Sequence, residues 1–192
     1  MTAPLLVVKL GGSSAASPLL RPWLDAIAAA AGRVVLVPGG GPFADAVRTA
    51  QAALGFDDAT AHAMALLAMA QYGFFLASLG ALLTPADSTD AIRRALAAGL
   101  VPVWLPPATL GPAEGVPASW DVTSDSLSLL LAGWLGAPHL LLIKPRTHGE
   151  NLLDAAFAGL RTNYPGRVFI AGPDDLPRGG IDPMQPPGRM LP

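Results

Sequence analysis

Three short stretches hold the residues that could do chemistry. Lys9-Leu10-Gly11-Gly12-Ser13 ends one apolar run, Pro38-Gly39-Gly40-Gly41 ends a second, and Lys144-Pro145-Arg146 ends a third. Glycines in the first two let the backbone approach a ligand closely and turn several N–H groups toward an anion. A helix beginning after each loop adds the positive end of its dipole. Two lysines on different strands would bracket a polyphosphate. A fourth stretch, SWDVTSDSLSLLLAGWL, sets Asp121 and Asp125 ahead of an apolar helix, and Asp125 placed near both lysines would orient them by charge-assisted hydrogen bonds. Phosphoryl transfer asks for little covalent chemistry and much positioning of charge, so two lysines, backbone amides and an organising aspartate suffice with magnesium. Each piece also has a plainer reading: a solvated lysine at a strand end, a glycine turn, an aspartate capping a helix. Their joint placement favours the chemical one.

The elements that must position these residues are legible as alternation. Apolar runs separated by Ala/Leu-rich helical patterns are the signature of a parallel sheet covered on both faces. Strands are predicted over 5–10, 34–38, 101–105, 140–144 and 168–171, and helices over 18–31, 42–54, 58–83, 89–98, 124–135 and 152–163. An open parallel sheet binds ligands at the carboxyl ends of its strands, so the three polar ends would converge on one edge. Pro42 suits a first helical position, where its missing N–H costs nothing. Ser88, Thr89 and Asp90 offer N-cap oxygens, and Gly99 closes that helix. The Pro/Gly-rich stretch 106–120 reads as a surface loop. Proline and glycine in 177–192 should prevent regular structure, giving a single domain over 1–176 followed by a tail.

Composition narrows the classes. A chain of 192 residues can bury one sizeable core. The net charge of −2, without a basic stripe, argues against nucleic acid as a partner. The absence of cysteine excludes disulfides and thiolate metal sites. His62, His139 and His148 are too scattered for a ligand set, so a metal would come with a substrate. The N-terminus lacks a basic region ahead of an apolar core, which points to the cytoplasm rather than secretion. Hydrophobic residues make up 52% and charged ones 14%, against about a quarter charged in ordinary soluble domains. A membrane or a subunit interface must absorb the difference. The uncharged run 63–83 reaches the length of about 20 residues that spans a bilayer. It is built on Ala, Met and Gly, contains Gln71 and Tyr72, and has no Lys/Arg flank. A helix buried between the sheet and a second subunit is therefore preferred over a span, and a homodimer or larger assembly is expected. GGGPFA fits a permissive dinucleotide pattern but follows the second strand, and there is neither a P-loop nor a G-x-S-x-G elbow.

Taken in order, VVKLGGS, VLVPGGGPFADAVR, WDVTSDSLSLLLAGWLGA and LLLIKP resemble the amino acid kinase family, which includes acetylglutamate, aspartate, carbamate and uridylate kinases. The resemblance implies a three-layer α/β/α sandwich around a mainly parallel sheet, with ATP and Mg2+ as cofactors. DDATAHAMALLAMAQYG and SWDVTSD are most similar to the small kinases of methanofuran biosynthesis, which phosphorylate [5-(aminomethyl)furan-3-yl]methyl phosphate to the diphosphate. Carried over by position, Lys9 contacts the transferring phosphoryl group, and Gly11, Gly12 and Ser13 form its phosphate loop. Lys144, with Arg146, falls on the nucleotide side, and Asp125 holds the lysines. Gly39, Gly40 and Gly41, with His62 and Asp121, fall on the side of the small phosphate acceptor. The helix carrying His62, Met69 and Tyr72 falls where the family places acceptor specificity and dimer contacts. The chain departs from the family after the second lysine, where KPRTHGEN puts His148 in the place of an aspartate. That departure motivates an alternative, a non-catalytic anion-binding or structural member of the same fold.

Overall fold

The computed structural model describes residues 4–107, 110 and 116–192. Its strands are β1 (Leu6–Leu10), β2 (Val34–Pro38), β3 (Leu83–Ala86), β4 (Val101–Trp104), β5 (His139–Ile143), β6 (Arg167–Ala171) and β7 (Arg189–Met190). Its helices are α1 (Leu20–Ala28), α2 (Gly41–Leu54), α3 (Asp58–Ser78), α4 (Thr89–Ala97), α5 (Ser124–Trp134) and α6 (Phe157–Arg161). The strands form one sheet in the order β3-β4-β2-β1-β5-β6-β7. All pairings are parallel except that of β7 with β6. This is a three-layer α/β/α sandwich, as the alternation of apolar runs predicts.

The two faces are sorted by the period of the strand. Leu6, Val8 and Leu10 pack into one cluster with Trp23, Leu24 and Ile27 of α1 and Tyr72 and Leu76 of α3. Val7 packs into the other, with Leu127, Leu129 and Leu131 of α5 and Ile92 of α4. Lys9 follows Val7 by two and so belongs to the α5 face. On β5, Leu142 stands opposite Lys9 and also faces α5; Lys144 lies two residues further along. Both lysines therefore reach the same layer at the carboxyl edge, beside the central strand where the order of connection reverses.

Some expectations change. The helix predicted to reach residue 83 ends at Ser78, and Leu83–Ala86 instead becomes the edge strand β3. Pro85 hides a strand in the sequence, yet an edge position tolerates it because no ladder bond is needed on its open side. α3 is long and apolar enough to cross a bilayer by length and composition, but Leu66, Met69, Tyr72 and Leu76 are buried in the two core clusters. The helix predicted over 152–163 shrinks to Phe157–Arg161. Leu110 and Val116, inside the predicted surface loop, are buried in the core, and 108–109 and 111–115 of that loop lie outside the described residues. The C-terminal segment does form structure: β7 adds to the sheet, Ile181 N donates to Ala26 O at 2.9 Å, and His139 Nδ1 lies 2.8 Å from Pro183 O.

Candidate active site

At the carboxyl ends of β1, β2 and β5 a cavity of about 450 Å³ opens, lined by Lys9, Gly11, Gly12, Ser13, Gly40, Gly41, Lys144 and Arg146, among others. The chain contains only two lysines, and both are here. Each meets the same carboxylate. Lys9 Nζ lies 2.9 Å from Asp125 Oδ1, and Lys144 Nζ donates to Asp125 Oδ2. Asp125 is 3% exposed and Lys9 5%, so the charges interact in a medium poorer than water. Burial alone would raise the Asp125 carboxyl; the Lys9 and Lys144 charges outweigh it and hold the group below its ordinary value. Lys144 shifts down, because burial and the adjacent Lys9 charge act against the pull of Asp125 and Asp154. The aspartate stays ionised and orients the cations, rather than shuttling protons.

The glycines are fixed by contact. A Cβ on Gly12 would stand 2.2 Å from Gly41 N, and one on Gly39 would stand 2.3 Å from Gly12 N. The loops after β1 and β2 are therefore in backbone contact, which no other residue permits. Gly41 has φ +55, and its Cβ would meet the Tyr72 ring at 3.0 Å; Tyr72 is 1% exposed, and burial pushes its phenol up to about 12. At Gly11 a Cβ would stand 3.2 Å from Lys9 Nζ and 3.3 Å from Ser13 Oγ. Glycine leaves that space open in front of the cation, so the cradle fits a phosphoryl group. α2 begins here on Gly41 with no side chain capping its first amides, and these add to the field for an anion.

The remaining predicted residues divide. Gly40, Gly41, Ser13, His62 and Arg146 line the cavity. Gly39 is behind the lining, in support of Gly12. His62 Nε2 lies 3.0 Å from Leu110 O, so its ring also ties α3 to the segment after β4. The Arg146 guanidinium donates to Glu150 O at 2.8 Å. Asp121 is exposed and does not line the cavity; its carbonyl accepts from Ala156 N at 3.0 Å. His148 is exposed. Among the described residues there is no cluster of three or more His, Asp or Glu that could hold a metal ion.

Several residues were not singled out from the sequence. Ala44, Asp45 and Arg48 line the far end of the cavity; with Gly41 they follow the i, i+3, i+4, i+7 stripe of α2, a signal legible beforehand. The Arg48 guanidinium lies 4.2 Å from the centroid of the Trp120 ring. Trp120 Nε1 donates to Gln51 Oε1 at 2.7 Å, and Gln51 Nε2 donates to Asp58 Oδ1 at 2.9 Å. Trp120 is thereby locked to α2 across 69 residues of chain, a partnership no local pattern announces.

Paired lysines on one aspartate, set against two interlocked glycine loops at the carboxyl edge of a parallel sheet, make a site suited to an anion, and the model of the amino acid kinase family matches residues 4–145. The chain belongs to that family. It is 30% identical over 138 residues to the [5-(aminomethyl)furan-3-yl]methyl phosphate kinase of Methanocaldococcus jannaschii, covering 71% of this chain and 63% of that relative. In fold it is similar to the uridylate kinase of Archaeoglobus fulgidus (TM-score 0.69, 16% identity, covering 88% of this chain and 90% of that one). It is similar also to the UMP kinase of Ureaplasma parvum (TM-score 0.67, 15% identity, 92% of each chain).

Proposed function

We propose that the protein transfers the γ-phosphoryl group of ATP to a small phosphate-bearing acceptor, of which [5-(aminomethyl)furan-3-yl]methyl phosphate is the first to try. The observation that carries this reading is the meeting of the two lysines on buried Asp125 in front of an open glycine cradle. The far end of the cavity supports the acceptor: Arg48 suits its phosphate, Asp45 its ammonium and Trp120 its ring.

ATP, when bound, supplies the γ-phosphoryl group, with magnesium as the counter-ion of its phosphates. An oxygen of the acceptor phosphate forms the new bond to phosphorus as the bond to the β,γ-bridging oxygen breaks, and ADP leaves. Lys9 faces the transferring group and offsets charge on its oxygens, while Lys144 does so on the nucleotide side. Asp125 keeps both ammonium groups aimed without itself titrating. The amides of Gly11, Gly12 and α2 are oriented before the reaction, so little reorganisation is needed at the moment of transfer. The same reading includes a homodimer or larger assembly built on α3, supported by the exposure of Leu67, Phe74 and Phe75 at 51%, 58% and 41%.

The test is calorimetric titration with magnesium ATP, the wild type beside Lys144→Ala, followed by a transfer assay with the furan phosphate. Binding lost in the variant, with transfer abolished by Lys9→Ala or Lys144→Ala in folded protein, is the expected result. Tight anion binding without transfer to any acceptor would favour the non-catalytic alternative, and turnover in both variants would sink the assigned roles.

A further inference from the structure

α5 carries Asp125 in its first turn, yet its N-cap residue Thr123 makes no cap hydrogen bond to the helix. The place of the cap is filled from a distant loop. One carboxylate oxygen of Asp154 accepts from Thr123 N at 2.8 Å, Thr123 Oγ1 at 2.9 Å and Ser126 N at 3.0 Å, and the other accepts from Ser126 Oγ. Ser126 N is the third amide of the helix, a donor that an N-cap side chain ordinarily satisfies. Ala156 N, two residues beyond, donates to Asp121 O at 3.0 Å. The segment after the second lysine is thus clasped to the start of α5, and Asp125 lies between the two residues that Asp154 grips. A neutral cap would satisfy one amide. A carboxylate accepts four donors here and adds a favourable charge at the helix N-terminus.

We propose that Asp154 is a positioning residue of the site: it fixes the first turn of α5 and so holds the Asp125 carboxylate between Lys9 and Lys144. The proposal rests on the kinase reading above. The groups facing Lys144 are Lys9 from β1, Asp125 from α5 and Asp154 from the loop before α6, with Arg146 lining the same cavity. The charge of Asp154 helps to keep the Lys144 ammonium protonated, so its loss lets Lys144 release its proton at lower pH.

The test compares wild type, Asp154→Asn and the milder Ser126→Ala in two experiments. The first is steady-state transfer across pH with magnesium ATP and the furan phosphate. The second is NMR titration of protein labelled at the lysine ε-carbons, whose two signals are assigned with Lys144→Arg. In folded Asp154→Asn, kcat falls roughly 100-fold, the cost of displacing a site by about an ångström, with KM changed far less. The alkaline limb of the kcat profile and the Lys144 titration both move to lower pH, and Ser126→Ala lowers kcat less. Wild-type kcat with an unmoved Lys144 titration overturns the proposal, as does lowered thermal stability alone with kcat intact. An absence of transfer in the wild type defeats the kinase reading instead, and the Lys144 titration then decides the positioning claim by itself.

Discussion

Asp125 is the residue on which the site turns, because it is a buried anion whose two partners are the chain's only lysines. Removing one partner of a buried charge set leaves the others uncompensated, a loss of several kcal/mol. Asp125→Asn should therefore lower the unfolding free energy by about 3 kcal/mol and abolish transfer, read by urea denaturation and a coupled ADP assay. The sign of its pH dependence follows from the depressed carboxyl. Its contribution is complete above the unfolded value near about 4 and is lost as pH falls through the lower folded one. Acid unfolding of Asp125→Asn should accordingly lack that portion of the stability loss. Lys144 works in the other sense: its folded value is depressed, so its charge opposes folding at neutral pH, and that opposition fades as pH climbs toward the unfolded value.

At the scale of elements, the site depends on how closely two loops and a short strand are packed. The Cβ that Gly12→Ala adds would stand 2.2 Å from one backbone atom of Gly41 and 2.5 Å from another, so the loops after β1 and β2 must separate. The expected cost is roughly 1–3 kcal/mol of stability, with a large fall in kcat. Stability and kcat near wild type would show that the loops need not touch. β7 acts on the loop that follows Lys144. Arg189 donates through Nε at 3.0 Å and Nη2 at 2.8 Å to Thr147 O, pinning the segment after Lys144. Arg189→Ala should raise KM for ATP several-fold with kcat nearly kept, as measured by initial rates. An unchanged KM would remove β7 from any part in nucleotide binding.

For the molecule as a whole, the unusual composition becomes a question of where apolar surface goes. Much of it is absorbed by a sheet buried on both faces, but Leu67, Phe74 and Phe75 on α3 stay exposed. Exposed aromatic residues grouped on one helix mark an interaction surface more often than a solvated one. With assembly through α3, Phe74→Glu should reduce the sedimenting mass to that of one chain while leaving far-UV circular dichroism unchanged; an unaltered mass would place the interface elsewhere.

The sequence by itself determined the parallel sheet and the polar, glycine-rich strand ends that carry Lys9 and Lys144. Each of these rests on local signals: apolar runs of strand length, glycines where a backbone must turn, and a period of two that sends residues to chosen faces. Tertiary structure alone decided which partners those residues found. It supplied the cap on α5 from Asp154, 31 residues from Thr123, and the lock on Trp120 from Gln51. It also placed Arg189 on the loop after Lys144 and turned a Pro/Gly-rich segment into an edge strand. These contacts join residues far apart in the chain through a handful of hydrogen bonds, and nothing in a local pattern encodes which donor will meet which acceptor once the sheet has closed.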